Sequence, residues 1–132
     1  MQIIDNELLD EVSRQARESE RLRMNYNFHD SLDAKAQRLL NALEPGTELP
    51  VHRHCMTAET YIVLRGRIRV YFYDDDKRVT EEVELAPSEG NYGIYIPAGQ
   101  WHTLEVMEKD TVIFEVKDGP YTPIEPKDRL EI

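Results

Sequence analysis

Ile68, Val70 and Phe72 alternate with Arg69, Tyr71 and Tyr73 in a run free of glycine and proline. A period of two sends the first set to one face and the second to the other, which fits a half-buried strand and not a helix. Most of the chain beyond residue 51 reads the same way. Segments 61–65 and 67–74 are rich in β-branched and aromatic residues, and 74–77 supplies a hairpin turn into a strand at 78–85. Residues 86–93 form a loop, and two more strands are expected at 102–107 and 111–116. Short strands at this spacing predict a small antiparallel β-barrel or sandwich.

The N-terminal part differs. Ile4, Leu8, Val12 and Ala16 recur at steps of four in a charged background, which predicts an amphipathic helix over about residues 5–22 lying against the body. Residues 24–31 lack periodicity and read as an ordered loop. Leu32, Ala36, Leu39, Leu40 and Leu43 are spaced as in a helix, and Pro45 and Gly46 end that run. The tail from Asp118 holds three of the seven prolines, so it cannot continue a central strand and is expected to lie extended over the surface.

A chain of 132 residues fits one domain that buries roughly two thirds of its unfolded surface. Its single cysteine, Cys55, excludes an intramolecular disulfide. No apolar run approaches the length of a membrane span, and the acidic start does not look like a signal peptide, so a cytoplasmic setting is expected. Sixteen Lys and Arg against twenty-six Asp and Glu give a formal charge of -10, which argues against nucleic acid and anionic membranes as partners.

Chemistry concentrates between Gly46 and Gly66. His52 and His54 lie one residue apart on an extended segment, so both imidazoles point the same way. Glu59 follows after a short loop, and His102 follows Pro97 and Gly99 on a later strand. Three imidazoles and a carboxylate suit one divalent transition metal, Zn, Fe, Mn, Ni, Co or Cu, and are too rich in nitrogen for Mg or Ca. They leave up to two octahedral positions open for water or a ligand. Cys55 and Arg53 alternate away from that ion.

Gly46, His52, His54, Glu59 and Gly66, followed by Pro97, Gly99 and His102, resemble the two motifs of the cupin superfamily. Gly90 sits one residue too far upstream for the second motif, and Val106 stands where its final asparagine is usual. Arg23-Met-Asn25-Tyr-Asn27-Phe-His29, Arg38-Leu-Leu-Asn-Ala-Leu-Glu-Pro-Gly46 and Phe114-Glu-Val-Lys-Asp-Gly-Pro-Tyr-Thr-Pro123 resemble the WbuC family of cupin-fold metalloproteins, found among bacterial gene clusters for O-antigen polysaccharide. The resemblance implies a mainly β fold: a single cupin, or double-stranded β-helix, jelly-roll barrel over 37–117. An N-terminal helix and ordered loop at 1–36 would pack on it, and a Pro-rich tail would occupy 118–132. It also implies a turn at 31–36 and a strand at 37–44, against the helical periodicity there.

From the same resemblance, Arg23, Asn25, Asn27 and His29 are candidates to bind a polar substrate over the barrel mouth, or else form a strut between helix and barrel. Tyr61 shares parity with Glu59 and is a candidate proton carrier. Glu115 alternates with Ile113 and Lys117 against the more apolar Val112, Phe114 and Val116, which places it on the outer face; reversed parity would make it a general base. Three functions compete. The first is a metal-dependent isomerase, epimerase or hydrolase acting on a small sugar or sugar nucleotide. The second is an Fe(II) dioxygenase, and the third a non-catalytic carbohydrate-binding or regulatory module. Ile68, Tyr71 and Tyr73 suggest a packing surface for a homodimer.

Overall fold

The computed structural model describes residues 1–132. Its one α-helix, α1 (Asn6–Glu18), starts where the Asp5 side chain accepts a hydrogen bond from the Leu8 N–H at 3.0 Å. Leu9, Val12, Ser13 and Ala16 are buried, whereas Ile4 is 45% exposed. A strict step of four drifts by about 40° per step around a helix, so the buried stripe follows 9, 12, 13 and 16 rather than 4, 8, 12 and 16. The helix also ends four residues before the expected position, at Glu18.

Ten strands follow and form two five-stranded sheets. The first contains β1 (Arg23–Asn27), β2 (Ala36–Leu43), β9 (Thr111–Asp118), β4 (Glu59–Arg65) and β7 (Gly93–Ile96), in that spatial order. The second contains β10 (Arg129–Leu130), β3 (Val51–His52), β8 (Trp101–Val106), β5 (Ile68–Tyr73) and β6 (Val79–Leu85). Every pairing is antiparallel. The segment read as a loop at 24–31 is therefore partly strand, because β1 finds a partner in β2 with Asn25 opposite Asn41.

The apolar interior has two compartments. Between the sheets lie Leu43, Tyr61, Val63, Ile68, Val70, Leu85, Ile96, Leu104, Val106 and Ile113. Between the first sheet and α1 lie Leu9, Val12, Ala16, Leu40, Ala42 and Val112, with Phe114 packed against them. Strands β2 and β9 are thus covered on both faces. A strand buried on both sides loses its polar alternation, which is why β2 carries helix-like spacing and yet forms a strand. Arg65 fastens the helix to the sheet, donating to Asp10 Oδ1 at 2.7 Å and Ser13 Oγ at 3.0 Å.

The tail does more than lie over the surface. Tyr121 N–H donates to the Leu32 carbonyl at 2.7 Å, and β10 pairs with β3 so that Arg129 faces His52. Asp128 accepts from Arg53 Nε and Cys55 Sγ, each at 3.0 Å, which pins the tail to the loop after β3. No helix is long and apolar enough to cross a membrane.

Candidate metal centre

His52 ends β3 and sits opposite His102 in the β3–β8 pairing. Parity then sends both rings to the barrel interior, with centroids 4.4 Å apart. His54 lies beyond β3 and reaches the same place because its carbonyl accepts the Gly99 N–H at 2.8 Å, tying the first motif to the Pro97–Gly99 turn of the second. Glu59 opens β4. The donor atoms of His52, His54, Glu59 and His102 all lie within 4.8 Å of one another.

The rings are oriented from behind. Nδ1 of His52 lies 2.9 Å from the Pro50 carbonyl, and Nδ1 of His102 lies 2.9 Å from the Gln100 carbonyl. Each Nδ1–H donates to its carbonyl, which turns Nε2 toward the cluster. Glu59 Oε1 is 2.7 Å from His102 Nε2, and Oε2 is 3.5 Å from His54 Nε2. Burial holds the His52 imidazolium down to about 4, helped by the neighbouring His102, and lowers His54 as well. For Glu59, burial opposes ionisation, yet the hydrogen bond and charge of His102 outweigh it and keep the carboxyl below its usual range. His52 and His54 held toward the neutral form beside an ionised Glu59 are the protonation states a cation requires. The set fits a divalent transition metal in donor type, count and spacing.

A cavity of about 360 Å³ is lined by His52, His54 and Glu59, while His102 stays buried beside Glu59. Tyr61 lies in its wall, fully buried, and its hydroxyl donates to Glu59 Oε1 at 2.9 Å. Burial raises the phenol well above its ordinary value. Glu115 also lines the cavity and is 7% exposed, so the outward placement read from alternation is reversed. The more apolar face of β9 is the one under α1, which leaves Glu115 opposite Tyr61 on the inner face. Asn41 Nδ2 donates to Glu115 Oε1 at 2.9 Å, while burial first and Glu59 second raise this carboxyl's pKa.

The profile of a family described as a domain of unknown function, DUF6016, matches residues 4–85, a span that takes in His52, His54 and Glu59. The chain belongs to the DUF6016 family. No curated protein matches it. Among solved structures, a protein of Thermus thermophilus is 25% identical with a TM-score of 0.62, over 89% of this chain and 97% of that one. A cupin superfamily protein from Desulfitobacterium hafniense is 14% identical with a TM-score of 0.57, over 73% and 76%. A candidate sugar phosphate isomerase from Acidithiobacillus ferrooxidans is 19% identical with a TM-score of 0.59, over 74% and 59%. The fold of this DUF6016 chain is a cupin barrel with an N-terminal helix.

Of the polar residues suggested at 23–29, Arg23 and Asn25 line the cavity. Asn27 and His29 do not: Asn27 is exposed, and His29 Nδ1 accepts the Arg38 N–H at 3.1 Å, turned onto its own sheet. Sequence reading missed Arg21, Asn41, Lys117 and Arg129, which all line the cavity. Asn41 carried a signal, a single amide inside Leu39-Leu40-Asn41-Ala42-Leu43. The cations carried none, because strand pairing and the returning tail bring them together.

Proposed function

We propose that this DUF6016 protein binds one divalent transition metal through His52, His54, Glu59 and His102. It acts as an enzyme on a small sugar or sugar-nucleotide metabolite, of isomerase, epimerase or hydrolase type. One observation carries the reading: the four donor residues gather beneath an open cavity shared with a buried tyrosine and a buried carboxyl. A closed structural site would have no such opening.

When bound, the ion supplies Lewis acidity toward a carbonyl or hydroxyl oxygen of the substrate. The chain's own residues supply the rest. His52 and His102 are held by backbone carbonyls, so the donor geometry is set before any ligand arrives. Tyr61 holds its proton on Glu59 Oε1 and orients that carboxylate. Glu115, steadied by Asn41 and pushed by burial toward its protonated form, is the group in the wall suited to hold or release a proton. The resemblance to WbuC at the first strand and at Phe114–Pro123, together with the fold shared with a candidate sugar phosphate isomerase, supports a sugar-related substrate. The same resemblance supports a cytoplasmic role in O-antigen assembly. The outer face of β5, where Tyr71 and Tyr73 are half-buried, supports a homodimer, but Ile68 takes no part in such a surface because it is fully buried between the sheets.

The test is metal analysis of protein purified without added metal, followed by incubation with a panel of sugars and sugar nucleotides and product detection by NMR. About one ion per chain and turnover that is lost in His102→Ala are expected. Protein that takes up no transition metal overturns the reading. Ligand bound and recovered unchanged points instead to a binding module, and oxygen uptake with iron to a dioxygenase.

A further inference from the structure

We infer that the cavity is built for a small anion, a phosphate or carboxylate group on a polyhydroxylated molecule, held by Arg21, Arg23, Lys117 and Arg129. The inference rests on the metal-dependent reading only for the reacting end of that molecule. The four cations reach one cavity from three parts of the chain: the connection between α1 and β1 with the start of β1, the end of β9, and β10.

Their pairing state is the central observation. The chain carries twenty-six Asp and Glu against sixteen Lys and Arg, so four cations gathered in one cavity without a carboxylate partner run against its overall charge. Arg14, Arg17, Arg53, Arg65, Arg67, Arg69 and Lys127 form ion pairs; Lys35, Arg38, Lys77, Arg78 and Lys109 do not, but none of those lines this cavity. None of the four cavity cations has a carboxylate oxygen within 4.0 Å. Arg23 Nη1 donates to the Glu48 carbonyl at 2.9 Å, and the Lys117 ammonium lies 5.8 Å from the Tyr121 ring centroid. Partial burial first and the neighbouring Arg21 second disfavour the charge on Arg23. Like charges left together in an acidic protein are stabilised by an anion between them.

The two acids of the cavity do not fill that role. Glu59 is committed to His102, His54 and Tyr61, and Glu115 to Asn41. Register then fixes how a ligand spans the cavity. Lys117 faces Glu59 across the β4–β9 pair, and Arg129 faces His52 across the β3–β10 pair. Directly opposed residues have Cβ atoms about 5 Å apart, so the cations stand one strand away from the donor cluster. An anion on the rim therefore leaves the neighbouring carbons and oxygens of the same small molecule over Glu59 and the histidines.

The test is calorimetric titration of the full chain with inorganic phosphate, glucuronate and glucose, first after chelator treatment and again after zinc loading. Phosphate or glucuronate is expected to bind the chelator-treated protein, with glucose at least about tenfold weaker, as loss of a charge-assisted contact implies. Arg21→Gln/Arg23→Gln should weaken the anion by about tenfold or more, whereas Arg78→Gln, exposed at the distant hairpin, should leave it unchanged. Circular dichroism checks the double variant, and Lys117→Met serves as an independent second variant. Equal binding of glucose and the anions, or binding indifferent to both variants, overturns the proposal. Anion binding seen only with zinc and indifferent to the arginines places the anion on the ion; it overturns this inference and leaves the metal reading standing. Arginine-dependent binding in protein that takes up no zinc does the reverse.

Discussion

The Tyr61 hydroxyl donates a 2.9 Å hydrogen bond to Glu59 Oε1, the same oxygen that lies 2.7 Å from His102 Nε2. Two residues apart on β4, they share the inner face of the barrel. Tyr61 therefore fixes the carboxylate plane while His102 draws its charge. Tyr61→Phe keeps the ring and removes one bond to a buried charge. A stability loss of about 1–2 kcal/mol in urea unfolding is expected. Metal affinity should fall by roughly tenfold, the usual effect of removing a group that orients a ligand, as read by competition with a chromogenic chelator.

Metal loading should itself stabilise the fold, because the donor cluster joins β3, β4 and β8 from both sheets. At a hundredfold excess over Kd the gain is about 2.7 kcal/mol, or roughly 10 °C in Tm for a domain of this size. Calorimetry with and without added zinc measures it. In His102→Ala the zinc-dependent increment should disappear, while the metal-free variant still melts cooperatively.

Without metal, the histidines set an acid limit. His52 is held to about 4 by burial and by His102, against about 6.5 in the unfolded chain. A depressed folded value means the unfolded state takes the proton first, so this stability is present above about pH 6.5 and lost as pH falls toward 4. The His52 contribution is roughly 3 kcal/mol over that window, and His54 shifts in the same direction. Chelator-treated protein should show a urea midpoint that drops between about pH 7 and 4.5, and His52→Gln should flatten the drop.

The donor set was legible in the sequence because its spacing is local: His52 and His54 share one segment, and Pro97 and Gly99 set up the turn before His102. The barrel strands were legible wherever one face meets water, as at Ile68, Val70 and Phe72. The reading failed at Glu115 because α1 covers the outer face of β9. Apolar alternation then marks the helix-facing side, and the charge is what faces inward. Strand β2 gave the complementary ambiguity: covered on both faces, it showed leucines at helical spacing. Lys117 and Arg129 belong to the cavity through register alone, and no local pattern encodes a register between distant segments.

That inverted parity can be tested at Glu115. Burial raises its pKa above the value in the unfolded chain, so its contribution to stability is present below the unfolded value and declines as pH rises toward the folded value. Glu115→Gln keeps an oxygen to accept from Asn41 and removes the buried charge. The variant should be as stable as the parent below about pH 4 and about 1 kcal/mol more stable at about pH 8, by guanidinium unfolding. Lost turnover in this stable variant identifies Glu115 as a proton carrier.

Two glycines of the ligand motifs should respond differently to the same substitution. Gly66 has φ +93, and a Cβ there would stand 2.1 Å from Thr111 Oγ1 and 2.7 Å from Thr111 Cα. Thr111 is fully buried and tied to Arg67 N–H and the Glu108 carbonyl, so it has little room to retreat. Gly66→Ala should cost about 3 kcal/mol or more, from strain plus overlap with backbone. Gly99 also has a positive φ, +84, but nothing lies within 4 Å of its added Cβ. Gly99→Ala should cost only the left-handed strain of about 1–2 kcal/mol. Its effect should appear in metal affinity, because Gly99 N–H holds the His54 carbonyl. Paired urea unfolding and chelator competition on the two variants separate a glycine kept for space from one kept for a turn; equal stability losses would contradict the packing described around Thr111.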